Sequence, residues 1–317
     1  MTRNFLTLLM FVGLIGLSTP LTAQEKYPVQ PRFEPGKYVQ TGVMDNDTVT
    51  RVGGLGTEDG IPMKQEQKLK IQLEVSPPDE KGTQKIEMTY TEIKMTQTMM
   101  GMEMVYDSTD KDNQNPTLAP IFNAMLGSKM TFDLTKDGKH ENFKGFDELW
   151  EKMIKSMPGG TGQMLESMKE KMSDEMMSNL AGMNNHFGKE PRAIGEQWTE
   201  TQSQNIPFLG GTEIESTHTL KSVKDDVAVI ATTGKFKMQG GDPIEMGPLK
   251  MNFEKGDMSI TSTTSINVET GLTFEIKNET EMDMTAEMDM SVNNNAPKMK
   301  MRITTKAVST VTIEKVE

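Results

Sequence analysis

Methionine on every second residue, repeated through the last sixty positions, limits what this chain can fold into. Met282, Met284, Met288 and Met290 share one parity with Leu272, Phe274, Ile276 and Val292. Met299 and Met301 open a second run, continued by Ile303, Ala307, Val311 and Ile313. A period of two is the strand period, with one oily face and one wet face. The three-residue loop Glu269-Thr270-Gly271 carries glycine where a left-handed residue is needed. It pairs Val268 with Leu272, Ile266 with Phe274, Thr264 with Ile276 and Met258 with Met282. A second turn over Asn293 to Lys298 sets Met290 against Met301, Met288 against Ile303, Met284 against Ala307 and Met282 against Ser309. On the other face that register matches Asp289 with Arg302 and Lys277 with Glu314. A slip of one residue would turn the whole methionine set into water.

Alternation also marks strands upstream: Leu69 to Val75, Ile86 to Tyr90, Met130 to Leu134, and the segments 36–43, 196–205, 212–223 and 227–238. Parity shifts between Tyr90 and Ile93, which predicts a bulge. Met95 to Tyr106 reads as a hairpin turning near Gly101, and Asp137-Gly138 as a further turn. The period then changes. Phe146, Leu149, Trp150, Met153, Ile154 and Met157 follow helical spacing, and Pro158-Gly159-Gly160 stops that helix. Met164 to Met183 extends a second helical stripe, and a short helix is expected at 117–126. The reading is α+β, predominantly antiparallel, with two curved, half-barrel-like meanders and a helical insertion. The divisions are 24–143 (N-terminal β half), 144–187 (helices) and 188–317 (C-terminal β half, with its long meander at 256–316).

Residues 1–23 read as a secretory signal peptide: Arg3, the apolar run Phe5 to Leu17, then the small-residue exit to Ala23. The 13 residues from 5 to 17 fall short of the roughly 20 that span a bilayer. A periplasmic or secreted location is therefore expected. The chain has no cysteine, which excludes disulfides, thiolate metal sites and a cysteine nucleophile. A net charge of −12 disfavours nucleic acid. The sparse aromatics, 6% of residues, lack the girdles of a transmembrane barrel.

Asn115-Pro116, Leu118-Ala119-Pro120, Gly127, Phe132, Asp137-Gly138, Gly145 to Leu149 and Gly195-Glu196-Gln197-Trp198 carry a resemblance. Together they are similar to a bacterial family of secreted proteins catalogued only as a domain of unknown function. The resemblance covers most of the chain after the signal peptide and implies no catalytic residues. More loosely, a curved sheet with helices against it resembles lipoprotein-carrier-like half-barrels, which implies a hydrophobic ligand.

Nothing points to catalysis. His140, His186 and His218 show no paired metal spacing, and no GxSxG or phosphate-loop motif occurs. His218 alternates with Ile214 and Leu220, as a hydrogen-bonded core histidine would. No cofactor is implied. The methionines admit three roles: core filler, lining for an apolar ligand or envelope partner, or soft-metal ligands. The ligand-lining set comprises Met258, Met282, Met284, Met288, Met290, Met299 and Met301, with Trp150 and Met153 from the helix. The metal alternative is a Cu(I) cluster of Met288, Met290, Met299 and Met301. A purely structural envelope protein is the third reading.

Overall fold

A computed structural model describes residues 25–53, 59–136, 138–157, 162, 165, 166, 169, 187–206, 210–246, 249–289 and 298–316, with backbone alone at 202–206, 244–246 and 249. The segment 1–23 expected to be a signal peptide, most of the helical stripe from Met164 to Met183, His186, Asp137 and Met290 lie outside the described residues.

Among the described residues, fifteen strands and two helices follow in order: β1 (Lys26–Tyr27), β2 (Gly36–Val52), β3 (Ile61–Val75), β4 (Gln84–Met99), β5 (Met102–Asp107), α1 (Ala119–Met125), β6 (Lys129–Leu134), β7 (His140–Lys144) and α2 (Phe146–Ser156). Then come β8 (Arg192–Ala193), β9 (Gln197–Ile206), β10 (Gly210–Lys224), β11 (Val227–Met238), β12 (Ile244–Met246), β13 (Leu249–Asn267), β14 (Thr273–Asp289) and β15 (Met299–Lys315). Thirteen strands form one antiparallel sheet, ordered β7-β6-β4-β3-β2-β15-β14-β13-β11-β10-β9, with β5 on β4 and β12 on β13. The sheet is open, with β7 and β9 at the ends of that path. The expected two meanders are thus one. β2 runs antiparallel to β15 from Tyr38 opposite Lys315 to Val52 opposite Met301, which joins the two β halves through the chain's first and last long strands.

Local chemistry accounts for the bends. Lys70 faces Glu92 and Ile71 faces Tyr90, so Thr91 is the extra residue of the expected bulge. Met100 (φ 53°) and Gly101 (φ 79°) make the left-handed pair of a tight hairpin between Met99 and Met102. In α2, Asp147 and Glu148 occupy the first turn and Lys155 the last, charges that suit the helix dipole. Pro120 lies in the first turn of α1, where its missing N–H costs nothing.

The β13–β14 register holds Met258 opposite Met282 and Thr264 opposite Ile276, as expected. An irregularity after Ser265 then places Ile266 opposite Thr273, not Phe274. The β14–β15 pairing is displaced by four residues from expectation: Met288 faces Met299, Met284 faces Ile303 and Met282 faces Thr305. A four-residue displacement is even and leaves every side chain on its face, so the apolar pattern alone does not separate the two registers. In the observed one Glu281 faces Lys306 and Glu287 faces Lys300, while Arg302 reaches Asp283.

Three apolar clusters lie on one face of the sheet. Val29 and Phe187 cover Leu220, Ala228, Ile230 and Ile266. The strand pair β1–β8 pins the N-terminal segment there. Tyr38, Ile71, Leu73, Val75, Ile86 and Ile313 form a second cluster, and Phe122 of α1 packs on Ile93, Met95 and Tyr106 in a third.

Candidate functional site

The registers resolve the methionine face into rows that cross the sheet. One row runs Ile214, Phe236, Met258, Met282, Thr305, Thr48, Met63, Met99 and Met102, each opposite the next. A neighbouring row runs Met238, Gly256, Met284 and Ile303. A third places Met251 beside Met288 and Met299. Phe236, Met238 and Met301 are buried, whereas Met258, Met282, Met284, Met288 and Met299 are half-buried. Gly256 is required in its row. A Cβ there would lie 2.7 Å from both Met238 Cε and Met284 Cγ.

The structure brings the expected β-strand methionines other than Met290 together, but not the helical pair. α2 packs on α1, which covers β4 and β5, and β4 is four strands from β14 along the sheet. Trp150 and Met153 are half-buried at that far end. Of the metal alternative, Met288 faces Met299 while Met301 faces Ala286 one row along. Among the described residues no group of three or more His, Asp or Glu side chains is placed to hold a metal ion.

A methionine-lined hollow was expected, yet the broad trough of about 580 Å³ opens on the other face. Its lining takes Lys235 and Lys237 around Phe236, Asp257 and Ser259 around Met258, and Glu281 and Asp283 around Met282. Flanking residues in a strand point away from the one between them. None of the methionine-face neighbours Met238, Gly256, Ile260 or Met284 contributes, so the backbone of Phe236, Met258 and Met282 is the trough's floor.

The methionine face carries its own, smaller hollow of about 60 Å³, lined by Phe187, Ser216, His218, Thr232, Gly234, Phe236, Ile260, Ser262, Thr264, Ile276 and Asn278. His218 is 5% exposed. Its Nδ1 lies 2.8 Å from Thr232 Oγ1, and its Nε2 is buried without a partner. Phe187 meets the imidazole edge-on at 5.3 Å, and Trp198 lies tilted at 5.3 Å on the opposite strand. Arg192 stacks on Trp198, its Cζ 4.7 Å from the ring, with Nη1 donating to Glu196 Oε1 at 2.8 Å. Burial, with Arg192 nearby, lowers the His218 pKa from 6.5 to about 4, so the ring is neutral at pH 7. A hydrogen-bonded core histidine is what the alternation of β10 implied. Ser262, Thr232 and Asn278 were not singled out. Their signal is present: polar residues at inward positions of otherwise apolar strands.

Residues 81–273 match the family described as "Family of unknown function (DUF6263)". That is 193 of 317 residues. The chain belongs to this family. The matched segment runs from β4 through the first residue of β14, and so holds His218, Trp150, Met153 and Met258 but not Met282 to Met301. Comparison with curated proteins gives no match. Among solved structures, lipovitellin, described for its lipid–protein interactions, aligns with a TM-score of 0.47 at 9% identity, covering 90% of this chain and 26% of its own. This chain therefore spans about a quarter of that protein. The outer membrane protein OprG from Pseudomonas aeruginosa gives 0.25 at 6% identity, with 89% and 98% covered. The COG4313 outer membrane channel from Pseudomonas putida F1 gives 0.24 at 7%, with 90% and 98% covered. All three scores fall below 0.5 and carry no functional weight. No helix among the described residues is long and apolar enough to cross a membrane.

Proposed function

We propose that this DUF6263 protein is a non-catalytic protein of the periplasm or cell exterior that binds a hydrophobic molecule along its methionine face. The supporting observation is the partial exposure of Met258, Met282, Met284, Met288 and Met299 in adjacent rows, opposite a face of alternating charges. Thioether side chains are flexible and polarizable and adapt to varied apolar shapes. Completing the burial of a half-covered methionine yields about 1 kcal/mol, half of the value for full burial. Five such residues supply about 5 kcal/mol before ordering costs, which suits a carrier that releases its ligand rather than one that holds it permanently.

Native mass spectrometry of the protein purified from its own source tests this reading. The expected result is a bound apolar molecule, lost on organic extraction and restored by adding it back. A protein that is empty as isolated and takes up no acyl-chain probe would overturn it.

A further inference from the structure

We propose that the small hollow beside His218 is a headgroup pocket for a neutral, hydroxyl-bearing amphiphile whose chain lies along the methionine row. This deepens the hydrophobic-ligand reading and rests on it. Four observations carry it. The hollow lies on the methionine face, and Phe236, one of its walls, stands directly opposite Met258 in the row that continues to Met282. A chain leaving the hollow past Phe236 thus meets the thioethers without crossing a polar strip.

The polar residues lining the hollow are Ser216, His218, Thr232, Ser262, Thr264 and Asn278. His218 Nε2 is an orphaned nitrogen on a side chain 5% exposed, and a buried polar atom of this kind calls for a partner. Its other nitrogen is held by Thr232, which fixes the ring. Asn278 Nδ2 donates to Ser309 Oγ at 3.3 Å, and this directs the amide.

Charge selects the class of head. None of the six polar groups is ionised at pH 7. Arg192, the cation that acts on His218, stacks on Trp198 outside the lining and is tied to Glu196. A carboxylate or phosphate would enter without a counter-charge, at the heavy cost of an unpaired buried ion. Size narrows it further. A water-sized group needs roughly 10–15 Å³ of such space, so a hollow of about 60 Å³ accepts a hydroxymethyl group but not a sugar or a phosphodiester.

Displacement of a fluorescent apolar probe by dodecanol, dodecane and dodecanoate tests the proposal on the full chain, with His218→Phe and Ser262→Ala beside the unaltered protein. His218→Phe keeps an aromatic ring between Phe187 and Trp198 and removes the nitrogen. Ser262→Ala is the smaller change should the first fail to fold. The unaltered protein is expected to bind the alcohol about tenfold more tightly than the alkane, as one or two buried hydrogen bonds provide. Each variant should lose most of that preference while alkane binding stays within about twofold. A preference retained in both variants, or dodecanoate outbinding dodecanol, overturns the headgroup pocket. Equal binding of alcohol and alkane overturns it too and leaves the hydrophobic-ligand reading standing. Failure to bind any of the three removes both.

Discussion

Adding one methyl group at Gly256 tests whether the methionine rows pack as described. An alanine Cβ there would sit 2.7 Å from Met238 Cε and Met284 Cγ, and 3.2 Å from the Asp283 carbonyl. Met238 Cε is the free end of a flexible side chain and can swing aside. Met284 Cγ is one bond from its own backbone-anchored Cβ and moves only by changing rotamer. Overpacking of this kind costs about 1–3 kcal/mol, offset by up to about 1 kcal/mol from removing glycine's freedom in the unfolded chain. Gly256→Ala should therefore destabilise by about 1–2 kcal/mol. Met284→Ala, which removes a half-buried thioether, should cost a similar amount, below the range for a fully buried methionine. The two together should not add. With Cγ gone the new methyl has room, and Gly256→Ala should be neutral when Met284→Ala is already in place. The coupling is then about 1–2 kcal/mol, well above the roughly 0.5 kcal/mol scatter of independent sites. Urea unfolding of the four proteins, compared at unchanged slope, measures it. Additive effects within that scatter would refute the packing of Met238, Gly256 and Met284 in one row.

Three more outcomes are expected. His218 binds a proton only near pH 4 when folded and near 6.5 when unfolded. The unfolded chain thus takes up more protons in that window, and stability falls as pH drops through it. The slope is about 1.4 kcal/mol per unit and the total at most about 3.4 kcal/mol, reduced by residual hydration. Urea midpoints between pH 7 and 4.5 should decline less in His218→Phe, and an identical decline would count against the buried neutral ring. Leu220→Ala, at a position with no exposure, should cost about 2–5 kcal/mol. Met102→Ala, at 64% exposure, should stay within about 0.5 kcal/mol. Finally, Glu281→Lys and Lys306→Glu should each lower the unfolding midpoint, and the double exchange should recover it. In a register displaced by four residues Lys306 would face Thr285, and no recovery would follow.

Period-two alternation was enough to place most of the long strands, the Thr91 bulge, the Met258–Met282 pair and the Gly101 hairpin, because each depends on neighbours in sequence or on a short turn; it stopped β2 at residue 43, began β3 at Leu69 and left β1, β7, β8 and β12 unmarked. It fell short where pairing is long-range. The β2–β15 seam joins strands more than 200 residues apart, and nothing in either strand's alternation names its partner. The four-residue displacement of β15 escaped for a related reason. Faces are conserved under even slips, and the deciding ion pairs, Glu281–Lys306 and Arg302–Asp283, compete with alternatives that also match in sign. The candidate site was half legible. Thioethers converge on one side as their parity requires, but Trp150 and Met153 went elsewhere because α2 is tied to α1 and the β6 end. Lys152 Nζ reaching Ser128 Oγ at 3.3 Å shows that attachment.

Methionine methyl NMR gives the most direct test of a ligand-binding face. With ¹³C-labelled methyls and a titration of dodecanol, the resonances of Met258, Met282 and Met284 should shift together along one binding curve. Those of Met100 and Met102, exposed at the β4–β5 hairpin tip, should stay still. Shifts confined to the hairpin tip, or none at Met258, Met282 and Met284 at saturating alcohol, would contradict the account.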